Sequence, residues 1–204
     1  MRIALANAKG GVAKTTSAIY LAAAATRRGL KARVLDADPQ SSASLWRDMA
    51  EEAGEPLDFD VEPANMSTLK RPAGMSDGWE FVDAPPSGPV LARAIDAADM
   101  VIVPASDSPL DLQQAWSTMG TIPDSIPAAV LIVRAETNTR AFDLVRDALD
   151  EQETPRFDTV VRKRQDVKMG LNRRPGKLWE YAEAFDELKR FMTGADTADA
   201  EARA

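Results

Sequence analysis

Near its start the chain reads Lys9-Gly10-Gly11-Val12-Ala13-Lys14-Thr15-Thr16, set between an apolar run at residues 3–6 and an alanine-rich stretch. A strand, a glycine-rich turn and a helix in that order aim successive backbone N–H groups at one point. The helix N-terminus adds roughly half a positive charge there. Phosphate chemistry suits such a turn: glycines permit close approach, Lys14 spans the β- and γ-phosphates of a nucleotide, and the Thr15 hydroxyl ligates Mg2+. The plainer alternative is a turn that only opens an α/β helix. The strict pattern G-x-x-x-x-G-K-[ST] is not met, because Ala8 and Ala13 stand at its two glycine positions.

Two carboxylate segments follow. Asp36-Ala37-Asp38-Pro39-Gln40 comes after a second apolar run. Alternation along a strand puts Asp36 and Asp38 on one side, at the carboxyl end where α/β sheets bind ligands. Asp/Pro turn chemistry with a helix cap is the simpler account of the same residues. Phe81-Val82-Asp83-Ala84-Pro85-Pro86 comes after a further apolar run. An aspartate at a strand end can hold a metal-bound water, and Pro85, Pro86 and Gly88 then form a turn that senses the terminal phosphate. An aspartate after two apolar residues is common by itself. What carries weight is the order of the three segments, each placed after a strand.

The elements that must position these groups are short apolar runs alternating with helix-like segments. Strands are predicted at residues 3–6, 32–35, 57–61, 79–82, 100–103, 129–133 and 159–161. Most are continuous rather than alternating, the habit of parallel strands covered on both faces. Helices are predicted at 15–28, 42–52, 90–98, 110–120, 139–151 and 178–192, the last with an apolar stripe of Leu178, Tyr181, Phe185, Leu188 and Met192. Together they imply a three-layer α/β fold with a mostly parallel, doubly wound sheet. A single domain is expected over residues 1–193, with a surface loop at 62–77 and a frayed, acidic, alanine-rich tail at 194–204. The dispersed Trp46, Trp79, Trp116 and Trp179 read as core packing rather than as base-stacking groups.

Composition narrows the chemistry. The 204 residues contain no cysteine and no histidine. That excludes disulfides, thiolate metal sites, iron–sulfur clusters, Ser-His-Asp catalysis and histidine-ligated zinc. Carboxylates, Lys/Arg, hydroxyls and backbone amides remain, and these suffice for phosphoryl transfer. No apolar run approaches the length of a membrane span or of a signal core, so a cytoplasmic address is expected. Net charge is −7, yet residues 155–180 hold eight basic and three acidic residues, a local +5 that leaves −12 elsewhere. A solvated charged face would account for that window, and so would a local site for a polyanion.

The first motif resembles the deviant Walker A segment, K-G-G-x-x-K-[ST], of the ParA/MinD superfamily of P-loop ATPases. The stretch Pro104-Ala105-Ser106-Asp107-Ser108-Pro109-Leu110-Asp111 is similar to the P-x-x-x-S-P-L-D segment of the small ParF-like partition ATPases. The resemblance runs from residue 1 to about residue 190. It implies an ATP-sandwich homodimer in which Lys9 reaches the partner's phosphates, with residues 9–16 around the nucleotide. Asp36 would join Thr15 and Asp83 around Mg2+, and Asp38 would orient the attacking water beside Lys9 and Lys14. It further implies nonspecific DNA binding through Arg162, Lys163, Arg164, Lys168, Arg173 and Arg174. Hydrolysis would be slow and stimulated by a ParB- or ParG-like partner, placing the protein on the nucleoid. Ala13 departs from the family's usual glycine, and its methyl is tolerable if the backbone there keeps a negative φ. Alternatives on the same scaffold are an ATP-dependent ligase, or a nucleotide-gated binding protein that hardly hydrolyses. A membrane cycle is not expected, since the tail lacks bulky apolar residues and a basic face.

Overall fold

Five of the apolar runs form strands near their expected places, and the run expected at 57–61 forms one only from Asp60 onward: β1 (Arg2–Leu5), β2 (Lys31–Asp36), β3 (Asp60–Pro63), β4 (Gly78–Asp83), β5 (Met100–Ala105) and β6 (Ala128–Ile132). They make one sheet in the order β3-β2-β4-β1-β5-β6, and every pairing is parallel. This computed structural model describes residues 1–73 and 78–194. The tail expected at 194–204 lies, after Gly194, outside the described residues, as do positions 74–77 of the 62–77 loop.

Eight helices occur among the described residues: α1 (Lys14–Arg27), α2 (Ser42–Glu52), α3 (Met66–Leu69), α4 (Pro89–Asp96), α5 (Pro109–Met119), α6 (Arg140–Glu151), α7 (Gln165–Met169) and α8 (Tyr181–Thr193). Strand alternation sends β1 side chains to two separate cores. Ile3 and Leu5 face a cluster with Ile19 of α1, Trp46 of α2 and Phe185 of α8. Ala4 faces the other, with Ile95 of α4, Leu112 of α5 and Val145 of α6. The three-layer, doubly wound reading therefore holds, and the described sheet is wholly rather than mostly parallel.

Three expectations are corrected. Residues 159–161 are not a strand. The chain at 155–163 does run beside β6, with Phe157 N donating to Val130 O and Val161 N to Ile132 O, both at 2.9 Å. Between those points the amides of Asp158 and Thr159 turn away to the buried carboxylate of Glu187, at 2.7 and 3.0 Å. A side chain has taken the bonds that a ladder would need, and two isolated bridges remain. Second, the last helix begins at Tyr181, not 178, because Trp179 sits at φ 52, outside helical space. Third, α3 and α7 were not anticipated: one turn or slightly more gives too little periodicity to read.

Both sheet edges are shielded. The 155–163 segment covers β6, while at β3 Pro63 removes a donor and the Arg47 guanidinium caps the Val61 carbonyl at 2.6 Å. A row of charges crosses the amino-terminal end of the sheet. Arg2 of β1 and Arg33 of β2 both bond the fully buried Glu80 of β4, and Arg33 also reaches Glu62 of β3 at 3.2 Å.

Candidate functional site: a phosphate loop facing three carboxylates

β1 enters the loop through Asn7, which is fully buried and fixes both flanks. Its Nδ2 donates to the Pro104 carbonyl at 2.9 Å, and its Oδ1 accepts from Lys9 N at 2.9 Å. Ala8 N is held by the Thr118 hydroxyl of α5 at 3.0 Å. Past these anchors the backbone turns through Gly11 at φ 74 and Ala13 at φ 64 into α1. A Cβ built on Gly10 or Gly11 meets no protein atom within 4 Å, so the space above the loop is open to a ligand.

The condition set for Ala13 is not met. Its φ is positive, which costs an L-residue roughly 1–2 kcal/mol. The strain survives because α1 continues directly from it, Ser17 N bonding Ala13 O at 2.9 Å. The left-handed turn into α1 is thus held by the fold with an alanine in place of a glycine.

Lys14 lies over the loop, nearly buried, with Nζ donating to the Lys9 and Asn7 carbonyls at 3.1 and 3.3 Å. Burial lowers its pKa, and the charges of Asp83 and Asp38 work against that lowering. Lys9 behaves differently. Its Nζ turns to the buried Asp111 of α5, which also accepts from the Ser106 hydroxyl at 2.7 Å. Burial pushes the Asp111 pKa up, but its bonds to Lys9 and Ser106 and the charge of Arg134 hold it below the usual range.

Asp36 and Asp83 end the neighbouring strands β2 and β4 and are register partners. The Thr15 hydroxyl donates to Asp83 Oδ2 at 2.6 Å. One oxygen of each carboxylate, Asp36 Oδ1 and Asp83 Oδ1, is buried without a hydrogen-bond partner. Burial raises the Asp83 pKa to about 7, against the Thr15 bond and with the help of the Asp36 charge. Two orphaned carboxylate oxygens beside a hydroxyl fit a hard divalent cation. Among the described residues no set of three or more acidic side chains could hold a metal by itself. Mg2+ needs no such set, since it keeps several waters and takes phosphate oxygens. Asp38 is half-buried at the same end, its Oδ1 accepting from Gln40 N at 2.9 Å in a tight Asx turn.

The raised Asp83 pKa has a measurable consequence. A carboxyl at about 7 when folded and near 3.9 when unfolded contributes stability that is complete below pH 4 and lost as pH rises through 7. Asp83→Asn stays neutral and escapes that loss. Without metal, it should match the wild type at pH 4 and exceed it by up to about 4 kcal/mol at pH 8. Urea melts at the two pH values test this, and a pH-independent difference would exclude the linkage.

The six basic residues expected to meet DNA fall into two groups. Arg162 and Arg164 both face Glu180, at 3.9 and 2.5 Å, and Lys163 pairs with Glu136 at 2.5 Å. Arg173 and Arg174 instead face Glu55 and Asp58, at 3.6 and 3.2 Å. Lys168 stands between them on α7. Trp46 and Trp79 lie in the core as expected, whereas Trp116 and Trp179 are only half-buried, and Arg164 lies over the Trp179 ring at 4.2 Å. Sequence reasoning assigned no role to Asn7, Ser44, Ser106, Asp111 or Thr118. The one signal available was Asp111, the last residue of the quoted P-x-x-x-S-P-L-D segment.

Comparison with known proteins agrees with this geometry. Residues 3–175 match the model of the CobQ/CobB/MinD/ParA nucleotide binding domain. The chain is 36% identical over 172 residues to maintenance of carboxysome distribution protein A from Gloeobacter kilaueensis, covering 78% of this chain and 76% of that protein. It is 34% identical over 169 residues to the chromosome-partitioning ATPase Soj from Thermus thermophilus, covering 68% and 65%. A plasmid partition protein from Borrelia burgdorferi, solved with AMPPNP, superposes with a TM-score of 0.73 at 20% identity, over 95% of this chain and 98% of that one. With its phosphate loop, buried lysine and paired strand-end aspartates, the chain belongs to the CobQ/CobB/MinD/ParA nucleotide-binding family, as an ATPase of its ParA/MinD branch.

Proposed function

We propose that this ATPase partitions or positions a cargo by cycling between an ATP-closed dimer that holds nonspecific DNA and a released form produced by partner-stimulated hydrolysis. The observation that carries the reading is the division of labour between the two loop lysines. Lys14 is buried over the loop, while Lys9, its side chain 38% exposed, is held at the rim by Asp111. A second cation at the mouth that is not spent on its own loop is what a partner's phosphates require.

Within the site, Thr15, Asp36 and Asp83 would hold Mg2+, which offsets phosphate charge when bound. Lys14 and the amides of residues 10–16 bind and orient the triphosphate. Asp38 accepts a proton from, or aligns, the attacking water, and Lys9 of the second copy neutralises charge developing on the phosphates. Phosphate contacts by Arg162, Lys163, Arg164, Lys168, Arg173 and Arg174 would supply DNA affinity without sequence readout, and would make it fall steeply with salt. A ParB- or ParG-like adaptor suits the stimulating role, and a nucleoid-associated address follows from the DNA contacts.

Sedimentation velocity with ATP, ADP or no nucleotide tests the cycle. The wild type should dimerise with ATP only, and Lys9→Ala should stay monomeric while still binding nucleotide. Replacing Arg173 and Arg174 by Glu should weaken retention of a mixed-sequence duplex by roughly tenfold or more and flatten its salt dependence. A chain that remains monomeric with ATP and turns over only when given a small carboxylate substrate would instead be a ligase on this scaffold.

A further inference from the structure

α2 begins without a cap of its own. Its N-cap residue Ser41 is left-handed at φ 52, and the Ser41 side chain bonds no helix amide. First-turn amides must therefore find acceptors outside the helix. The amide of Ser44 donates to Asp36 Oδ2 at 2.7 Å, and the Ser44 hydroxyl donates to the same oxygen at 2.7 Å. Asp36 is thus two-sided. Oδ2 caps α2, while Oδ1 is buried and unpartnered in a carboxylate whose register partner on β4 is Asp83.

The same helix holds the basic loop. Trp46 Nε1 donates to the Arg173 carbonyl at 2.8 Å. Just beyond the helix, Glu55 and Asp58 pair with the guanidinium groups of Arg173 and Arg174. Of its three buried residues, Ala43, Trp46 and Ala50, the indole is the one large side chain, and Arg47 ties the helix to the Val61 carbonyl of β3 at 2.6 Å.

We propose that α2 is a lever joining the nucleotide–metal site to the DNA-binding loop, with Ser44 as its input at Asp36 and Trp46 as its output at Arg173. Glu55 and Asp58 occupy Arg173 and Arg174 until DNA phosphates replace them. Asp36 is among the residues that would hold a divalent cation; its carboxylate would then be fixed, and through the cap bonds on Oδ2 so would the start of α2. A shift of the helix carries Trp46 with it, reaches the Arg173 carbonyl and strains the two ion pairs. Exposed pairs of this kind are worth little, so they exchange readily for phosphate. By linkage, DNA on the loop must change nucleotide affinity by the same factor that nucleotide changes DNA affinity.

This inference rests on the DNA-binding reading, and the test separates the two. Duplex affinity is measured for the wild type, Ser44→Ala and Trp46→Phe, with and without Mg2+ and a nonhydrolysable ATP analogue. Nucleotide should strengthen wild-type binding by roughly 5- to 150-fold, and duplex should strengthen nucleotide binding equally. In both variants the factor should fall to about twofold or less. Hydrogen exchange over residues 170–176 gives a readout independent of turnover, and should respond to nucleotide in the wild type but not in the variants. Protection elsewhere in the sheet reports that each variant is folded. Glu55→Gln with Asp58→Asn should raise nucleotide-free DNA affinity several-fold. Wild-type coupling retained in both folded variants overturns the lever and leaves DNA binding standing. Failure to bind duplex in any nucleotide state overturns both.

Discussion

Glu80→Ala should lower the unfolding free energy by about 3–5 kcal/mol, enough to leave a protein of ordinary stability partly unfolded at 37 °C. Glu80 is fully buried, and its two oxygens serve two arginines: Arg2 Nε at 2.8 Å and Arg33 Nε at 3.0 Å. Arg2 is itself buried, and its guanidinium also donates to the carbonyls of Arg71 and Leu69, at 3.0 and 3.4 Å. Removing the carboxylate leaves a guanidinium in the interior with carbonyl partners but, among the described residues, no paired counter-charge. The loss comes from that orphaned cation, not from the attraction given up. Exchanging Arg2 and Glu80 together for Met and Leu should therefore recover most of it. Denaturant midpoints for the single and double variants decide the matter, and a single-variant loss below 1 kcal/mol would show that water reaches the pair. The ladder crosses the amino-terminal end of the strands, opposite the phosphate loop. Nucleotide affinity of the folded fraction should be unchanged.

Glu80 also marks where sequence reading stops. The run at 79–82 reads as a strand because its neighbours are apolar, but that Glu80 serves Arg2 and Arg33 depends on β4 lying between β1 and β2. Local features came through well. The phosphate loop, the first helix and the strand-end aspartates occupy contiguous segments whose geometry follows from short-range chemistry. The contacts that set each group's role were not legible, since they join distant positions. Lys9 meets Asp111, Asn7 meets Pro104, and Ala8 meets Thr118. For Asp36 the helix-cap reading holds, and the buried Oδ1 without a partner leaves it a candidate metal ligand as well. At 159–161 the apolar pattern was sound, and the strand was lost to Glu187, a residue on the final helix. Ala13 shows the converse case, a residue whose type argues against the conformation that the fold imposes on it.

Lys14→Met should weaken ATP binding by a factor of roughly 100 or more while leaving the unfolding free energy unchanged or slightly raised. The two outcomes part because the ammonium sits differently in the empty and the loaded site. With no nucleotide, Lys14 is 7% exposed and its Nζ donates to two carbonyls, at 3.1 and 3.3 Å. Burial depresses its pKa even with Asp83 and Asp38 nearby, which means the protonated form is held at a cost to folding. An apolar side chain of similar length removes that cost and forfeits two long bonds. With a triphosphate present the balance reverses, because a desolvated cation against several phosphate charges is worth far more than the same cation against carbonyl dipoles. Isothermal titration with an ATP analogue, paired with urea melts of the same samples, separates the effects. Lys9→Met should behave oppositely in binding: its ammonium rests on Asp111 at the rim, so nucleotide affinity of the monomer should stay within a few-fold of wild type. Equal losses from the two substitutions would mean that both lysines act on the nucleotide of their own chain, and the sandwich arrangement would then have no use for Lys9.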